Sequence, residues 1–291
     1  MAIRYRRFDA NDRLPVYRMF RDSIWDFMLE SGIVSADDSN DIDAMMARQF
    51  DLYLHLEATA AEDWVAEDDA IGVVGWARSI LRGGHLQLTH FFVDTRSQGQ
   101  GVGSELLKRS FAPDDAQPRS IIATTNPRAL SLYLRQGVSF QSLGFCFDGK
   151  PRYRDLDGDI ELRRIDAGSE AVADLYAIDA EVVGYERRLD LDYFLEHQPG
   201  FLLYRDGRAV AYAFGCDGKS SGPGAALAPA DLPAVLQVIA NSAADAGLDS
   251  LPLTVPGVAA AGVDWAIANG YRMDAFFEEA DDVRTPQAAD S

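Results

Sequence analysis

The stretch LQLTHFFVDTRSQGQGVGSELLKRSF, Leu86 to Phe111, constrains this chain more than any other part of it. Its first half alternates and closes on an apolar run (Leu86, Leu88, Phe91, Phe92, Val93), the pattern of a strand, while GVGSELLKRSF has the spacing of a helix. Between the two, QGQGVG places Gly99, Gly101 and Gly103 close together. Glycines cost backbone entropy and pack nothing, so the turn is either a tight connection that binds nothing or a place where a ligand comes close to the backbone. The second option has a physical basis. The first amides of a helix have no intrahelical acceptor and lie at the positive end of its dipole, which suits a phosphate or pyrophosphate.

Spacing separates the kinds of phosphate loop. A Walker-type loop requires GxxxxGK[ST], and no such lysine follows here. A dinucleotide fingerprint requires GxGxxG or GxGxxA, with an acid about 20 residues further on. Here Ser104 follows Gly101 at the third position, and the next strand, SIIATTN (Ser120 to Asn126), ends without an acid.

Gln98, Gly101 and Gly103 instead form QxxGxG after an apolar strand. Downstream, TTNPRALSLYLRQGVSF (Thr124 to Phe140) carries an Asn, an Ala, a Leu-Tyr pair and a Gly before an aromatic. Together the two stretches resemble the acyl-CoA loop and the following strand and helix of the GNAT superfamily of N-acyltransferases. The resemblance covers residues 1–155. It implies an α/β fold, α+β mixed, in which a mostly antiparallel sheet is flanked by helices, with acetyl-CoA as cosubstrate. Backbone groups of Phe91, Phe92 and Val93 would follow the pantetheine arm. Amides of Gln98, Gly99, Gln100, Gly101, Val102, Gly103 and Ser104 would hold the pyrophosphate. Asn126 matches a cofactor-contacting Asn, and Tyr133 matches a tyrosine near the thioester sulfur that donates a proton. A phenol stays protonated at neutral pH, since its reference pKa is about 10. Tyr133 in LSLYL is equally what a core position would hold.

The base is less defined. LQLTHFFV offers Thr89 and His90 and no carboxylate. His90 is a candidate because imidazole titrates near physiological pH, although a lone strand histidine is often structural. Glu30, Glu57 or Asp69, a water relay, or an amine arriving neutral are alternatives. Trp25, Met28, Phe50 and Tyr53, on the first two helices, either line an acceptor site or belong to the core.

The second half restarts the same plan. IRYRRFDA (Ile3 to Ala10) and IELRRIDA (Ile160 to Ala167) agree at the Ile, both Arg and the Asp-Ala. FLLYRDGRAVAYAF (Phe201 to Phe214) resembles WVAEDDAIGVVGWA, and WAIANGYRM stands where LYLRQGVSF stood. Repeats at domain length imply duplication. Where the phosphate loop should recur, PADLP replaces QGQGVG. Pro229 and Pro233 lack N–H donors, Asp231 repels anions, and Ala266 stands opposite Tyr133. The expected organisation is therefore an acyl-CoA domain at 1–155 and a degenerate GNAT-like domain at 156–291, with a frayed tail from Asp281. One acyl-CoA would bind per chain, and the second domain would pack on the first through an apolar interface.

The 291 residues suffice for two domains, and 47% hydrophobic content supplies their cores. The formal net charge of −19 disfavours a nucleic-acid partner. No apolar stretch is long enough to span a membrane, and the start is too polar for a signal peptide, which predicts a cytoplasmic protein. Cys146 and Cys216 read as buried and reduced, and neither they nor the four histidines show metal-ligand spacing. Within these bounds, the GNAT resemblance implies a cytoplasmic N-acetyltransferase acting on a primary amine, as a monomer or homodimer. The competing expectation is a non-catalytic acyl-CoA sensor or assembly protein.

Overall fold

The computed structural model describes residues 3–30, 32, 35, 42–112, 117–156, 158–216 and 221–281. The expected tail beyond Asp281 lies outside them. The elements form two series in the same order. The first is β1 (Ile3–Arg7), α1 (Arg13–Glu30), α2 (Ile42–Ala58), β2 (Ala60–Asp68), β3 (Gly72–Arg82), β4 (His85–Val93), α3 (Val102–Ser110), β5 (Arg119–Ala123), α4 (Pro127–Arg135) and β6 (Ser139–Gly149). The second is β7 (Glu161–Ile165), α5 (Val172–Val183), α6 (Arg188–His197), β8 (Gly200–Arg205), β9 (Arg208–Phe214), β10 (Gly224–Ala226), α7 (Leu232–Asp245), β11 (Leu251–Pro256), α8 (Ala260–Ala268) and β12 (Arg272–Asp281). The matched peptides IRYRRFDA and IELRRIDA supply β1 and β7, so the duplication read from eight residues extends through every α-helix and strand.

The chain divides into two compact units, residues 1–141 with 277–291, and residues 142–276. A single cut near residue 155 does not describe it. In the first unit β1, β2, β3 and β4 run antiparallel in sequence order, and β5 joins β4 in parallel. The next neighbour of β5 is the end of the chain: Glu278 to Asp281 pair antiparallel with Ala123 to Ser120. With no positive φ at Gly144, Phe140 and Phe145 lie on one continuous strand, β6. Its later residues pair with β11 in the second unit. Each copy thus completes the other's set of strands, as β6 serves β11 and β12 serves β5.

Alternation along the first sheet gives it two apolar faces. Ala66, Val74 and Ala77 pack with Val102 and Leu106 of α3 on one face. Val65 and Trp76 pack with Val16 and Met19 of α1 on the other. Gly75 is required by the first contact, since a Cβ there would lie 2.8 Å from the Leu106 side chain. An Asp9 cap and the Arg6–Asp12 ion pair fix the entry to α1. In the second unit β10, β9, β8 and β7 form an antiparallel sheet, with α7 central to the largest core cluster.

Because β5 is bordered by a strand from the chain's end, truncation after Phe276 should expose the β5 edge. The calorimetric unfolding midpoint of the first unit should then fall by about 5 °C, the shift expected from losing a short ladder. An unchanged midpoint would mean that β12 contributes nothing there.

Candidate active site

The site begins where two parallel strands separate. The β4–β5 ladder runs only from Leu86–Arg119 to Leu88–Ile121. His85 Nε2 and Ser120 Oγ, 2.7 Å apart, clasp its closed end. Beyond Leu88, β4 carries a bulge. Arg78 pairs with His90 and Ser79 with Leu88, so Thr89 has no partner on β3, and its hydroxyl donates to the Arg78 carbonyl at 3.1 Å. A bulge bends its strand and increases its twist. From Thr89 to Val93 the β5-facing edge of β4 has no ladder partner among the described residues.

A cavity of about 240 Å³ opens in this fork. Its walls come from Leu88, Thr89 and Phe91 to Val93 on β4, Ile121 to Thr124 on and after β5, Ser97 to Gly99 and Gly103 at the loop, Asn126, Arg128, Ala129, Leu132 and Tyr133 around α4, and one side of α1. The QGQGVG turn delivers the amino end of α3 to its mouth. Gly99 and Gly101 adopt positive φ, 76° and 86°, and Gly101 caps α3 with no side-chain hydrogen bond. At Gly101 an added Cβ would meet nothing within 4 Å, so the backbone is open there. Gly103 has a different reason, close packing, since its Cβ would lie 3.0 Å from the Phe91 ring. The first backbone donor of α3 with an acceptor among the described residues is Glu105, bonded to the Gly101 carbonyl at 3.1 Å. The amides from Gly99 to Ser104 are left to a ligand or to water.

The side chains expected to bind are partly committed within the protein. Gln98 donates to the Val93 carbonyl at 3.2 Å and accepts from Arg128 at 3.2 Å, which ties the loop to β4 and α4. Gln100 donates to the Arg96 carbonyl. Asn126 caps α4 by accepting from the amides of Arg128 and Ala129, leaving its own NH₂ for the cavity it lines. Arg128 was not expected from the sequence. It puts an exposed guanidinium beside the loop, where it adds positive charge to that of the α3 terminus.

Tyr133 is buried, lines the cavity and meets the Phe91 ring edge-on at 5.7 Å. Its hydroxyl has no hydrogen-bond partner among the described residues, and burial pushes its pKa above the ordinary value. The phenol is thus protonated at neutral pH.

His90 does not behave as a base that titrates near neutrality. Its ring stacks on Trp76 at 4.4 Å and leans on Tyr53 at 5.0 Å, on the α1 face of the sheet and outside the cavity lining. Burial first, and the nearby Arg78 guanidinium second, lower its pKa to about 3. Glu30 and Asp69 are exposed and line no part of the cavity; Glu57 lies on α2, paired with Arg13. The residues lining the cavity include no carboxylate and no histidine.

In the second unit the equivalent place is filled from within. Pro229–Asp231 forms a single 3-10 turn ahead of α7, and the buried Asp231 carboxylate at that helix's amino end is ion-paired with Arg205, which also binds Asp159 at 2.7 Å. Ala266 is buried where the first copy has Tyr133. Among the described residues no group of three or more His, Cys, Asp or Glu is arranged to hold a metal, and no helix is long and apolar enough to cross a membrane.

Comparison with known proteins agrees with this geometry. The family model described as "Acetyltransferase (GNAT) domain" matches residues 61–139, which include β3, β4, the glycine turn, α3, β5 and α4. A GCN5-related N-acetyltransferase from Sphaerobacter thermophilus superposes with a TM-score of 0.67 at 15% identity, over 96% of this chain and 95% of the other. One from Kribbella flavida gives 0.54 at 14%, over 96% and 70%. A tandem GNAT protein from the clavulanic acid biosynthesis pathway gives 0.57 at 11%, over 96% and 98%. No curated protein matches the sequence. The GNAT resemblance therefore holds at two levels, an acetyltransferase-domain sequence within the first unit and a tandem GNAT fold across nearly the whole chain.

The burial of His90 has a direct consequence. Its ring resonances in a proton NMR titration should stay those of neutral imidazole from about pH 8 to pH 5. Because its folded pKa lies below the unfolded one, this residue lowers stability as pH falls below about 6.5, so His90→Phe should lessen acid destabilisation there. A midpoint between about pH 6 and 7 would contradict the buried placement.

Proposed function

We propose that the first unit is an acyl-CoA-dependent N-acyltransferase that moves an acetyl group from acetyl-CoA to a primary amine of a small molecule or peptide by direct attack. The observation that carries this reading is the fork between β4 and β5, with unbonded amides of Gly99 to Ser104 at one end and the protonated Tyr133 on its wall. Acetyl-CoA supplies the acyl group activated as a thioester. The amides of Gly99 to Ser104, aided by Arg128, would bind the pyrophosphate, and the free edge of Phe91 to Val93 would align the pantetheine arm as an added strand. Tyr133 would hold a proton for the departing sulfur as nitrogen replaces it on the acyl carbon. With no carboxylate and no titrating histidine on the wall, the proton lost by nitrogen goes to water, or the amine enters already neutral.

The lack of a base on the wall also supports a second reading, an acyl-CoA-binding sensor or assembly protein. One substitution separates the two. Tyr133→Phe should lower amine-dependent CoA release by about 100-fold with acetyl-CoA affinity little changed. Equal rates in the two proteins would remove Tyr133 from the mechanism. Tight acetyl-CoA binding without turnover of any amine would favour the sensor. For the second unit we propose a domain that keeps the fold without binding CoA.

A further inference from the structure

A second cavity in the first unit, about 540 Å³, lies between α1, α2 and the face of β3. That volume is within the range of small-molecule sites, roughly 300–1,000 Å³. Its wall is mostly aromatic and aliphatic, including Val16, Tyr17, Phe20, Tyr53, Leu54 and Trp76, with Phe50 half-exposed at the rim. It adjoins the CoA fork along α1. Phe20 faces this cavity, and Ser23, Ile24 and Phe27, beginning one turn further on, face the fork. Phe20 meets Phe92, which lines the fork, edge-on at 4.4 Å, and Trp76 of the second cavity stacks on Phe92 at 6.3 Å, so aromatic rings link the two spaces.

The charges in the wall restrict what can enter. Arg13 is bound to Glu57 at 2.6 Å. Arg78 is bound to Asp63 at 2.8 Å, donates to the Tyr53 carbonyl at 3.3 Å, and lies 5.0 Å from the Trp76 ring centre. Among the described residues the two cations and two carboxylates cancel, and each is already paired inside the protein. The Trp76 face, which would otherwise attract an ammonium, is used by Arg78. A charged group would lose its hydration here without finding a free counter-ion, whereas an apolar one gains by burial.

We infer that this cavity receives the uncharged, apolar body of the acceptor, an aryl or branched-alkyl group, while its amine reaches past Phe20 and Phe92 into the fork. The fate of the amine rests on the acetyltransferase reading, but the identity of the body does not. Polycations and sugar amines are excluded as acceptors held in this way.

Calorimetry on the full chain tests this with three probes: phenylbutanol, which has the body without the charge, phenylbutylamine and spermidine. Phenylbutanol should bind saturably. Leu54→Trp, which fills the cavity, should weaken it by about tenfold or more with acetyl-CoA affinity unchanged. Should that variant fail to fold, Phe50→Ala at the rim remains available and should weaken the probe by about threefold to tenfold. Equal phenylbutanol affinity in the parent and the folded variants, or tighter binding of spermidine than of phenylbutylamine, would overturn the assignment. CoA release with spermidine alone would overturn it while leaving the acetyltransferase reading intact. Variant-sensitive binding of phenylbutylamine without its acetylation would support the cavity and count against the transferase.

Discussion

Everything proposed for this protein depends on a ladder that stops. Two parallel strands joined from end to end would leave no room between them, and the amides of α3 would face a closed sheet. The parting of β4 from β5 after Leu88 and Ile121 creates a slot with a peptide edge on one side. The bulge at Thr89 sits at the point of parting, and the His85–Ser120 contact keeps the other end shut. Backbone geometry therefore makes the site, and side chains adjust it. Gln98 secures the loop, Arg128 adds charge and Tyr133 puts a protonated phenol on the wall.

The second unit repeats the order of elements, but β10 and β11, in the places of β4 and β5, share no ladder among the described residues. Its three-residue β10 leads into a proline-containing turn, and Asp231 with Arg205 occupies the amino end of α7. A helix amino terminus favours negative charge from any source. In the first unit the terminus is left without a side-chain cap, and in the second an internal carboxylate lies there. The proposal that the second unit keeps the fold without binding CoA rests on this difference.

Much of this was readable from local sequence. The glycine spacing gave the loop, the alternation in Leu86 to Val93 gave the strand, and the repeated IxxRRxDA gave the second series of elements. What could not be read was set by partners distant in sequence. The neighbour of β5 comes from Glu278 to Asp281, and no feature near Ser120 announces it. The backbone stays extended through FQSLGF because β11, more than 100 residues further on, pairs along its later part. His90 looked titratable until Trp76 and Tyr53, from two other elements, enclosed it. Of the residues considered for an acceptor site, Phe50 and Tyr53 line the second cavity, whereas Trp25 packs with Phe20 and Met28 lines neither space.

If the proposed site is right, the amides of Gly99 to Ser104 receive an anion and those at the start of α7 do not. Hydrogen exchange followed residue by residue, with and without saturating CoA, measures this directly. Slowed exchange is expected from Gly99 to Ser104, unchanged exchange from Ala230 to Leu232, and saturation at one equivalent of CoA per chain. Protection at the α7 terminus, or none at the glycine turn when CoA is bound, would contradict the proposed site.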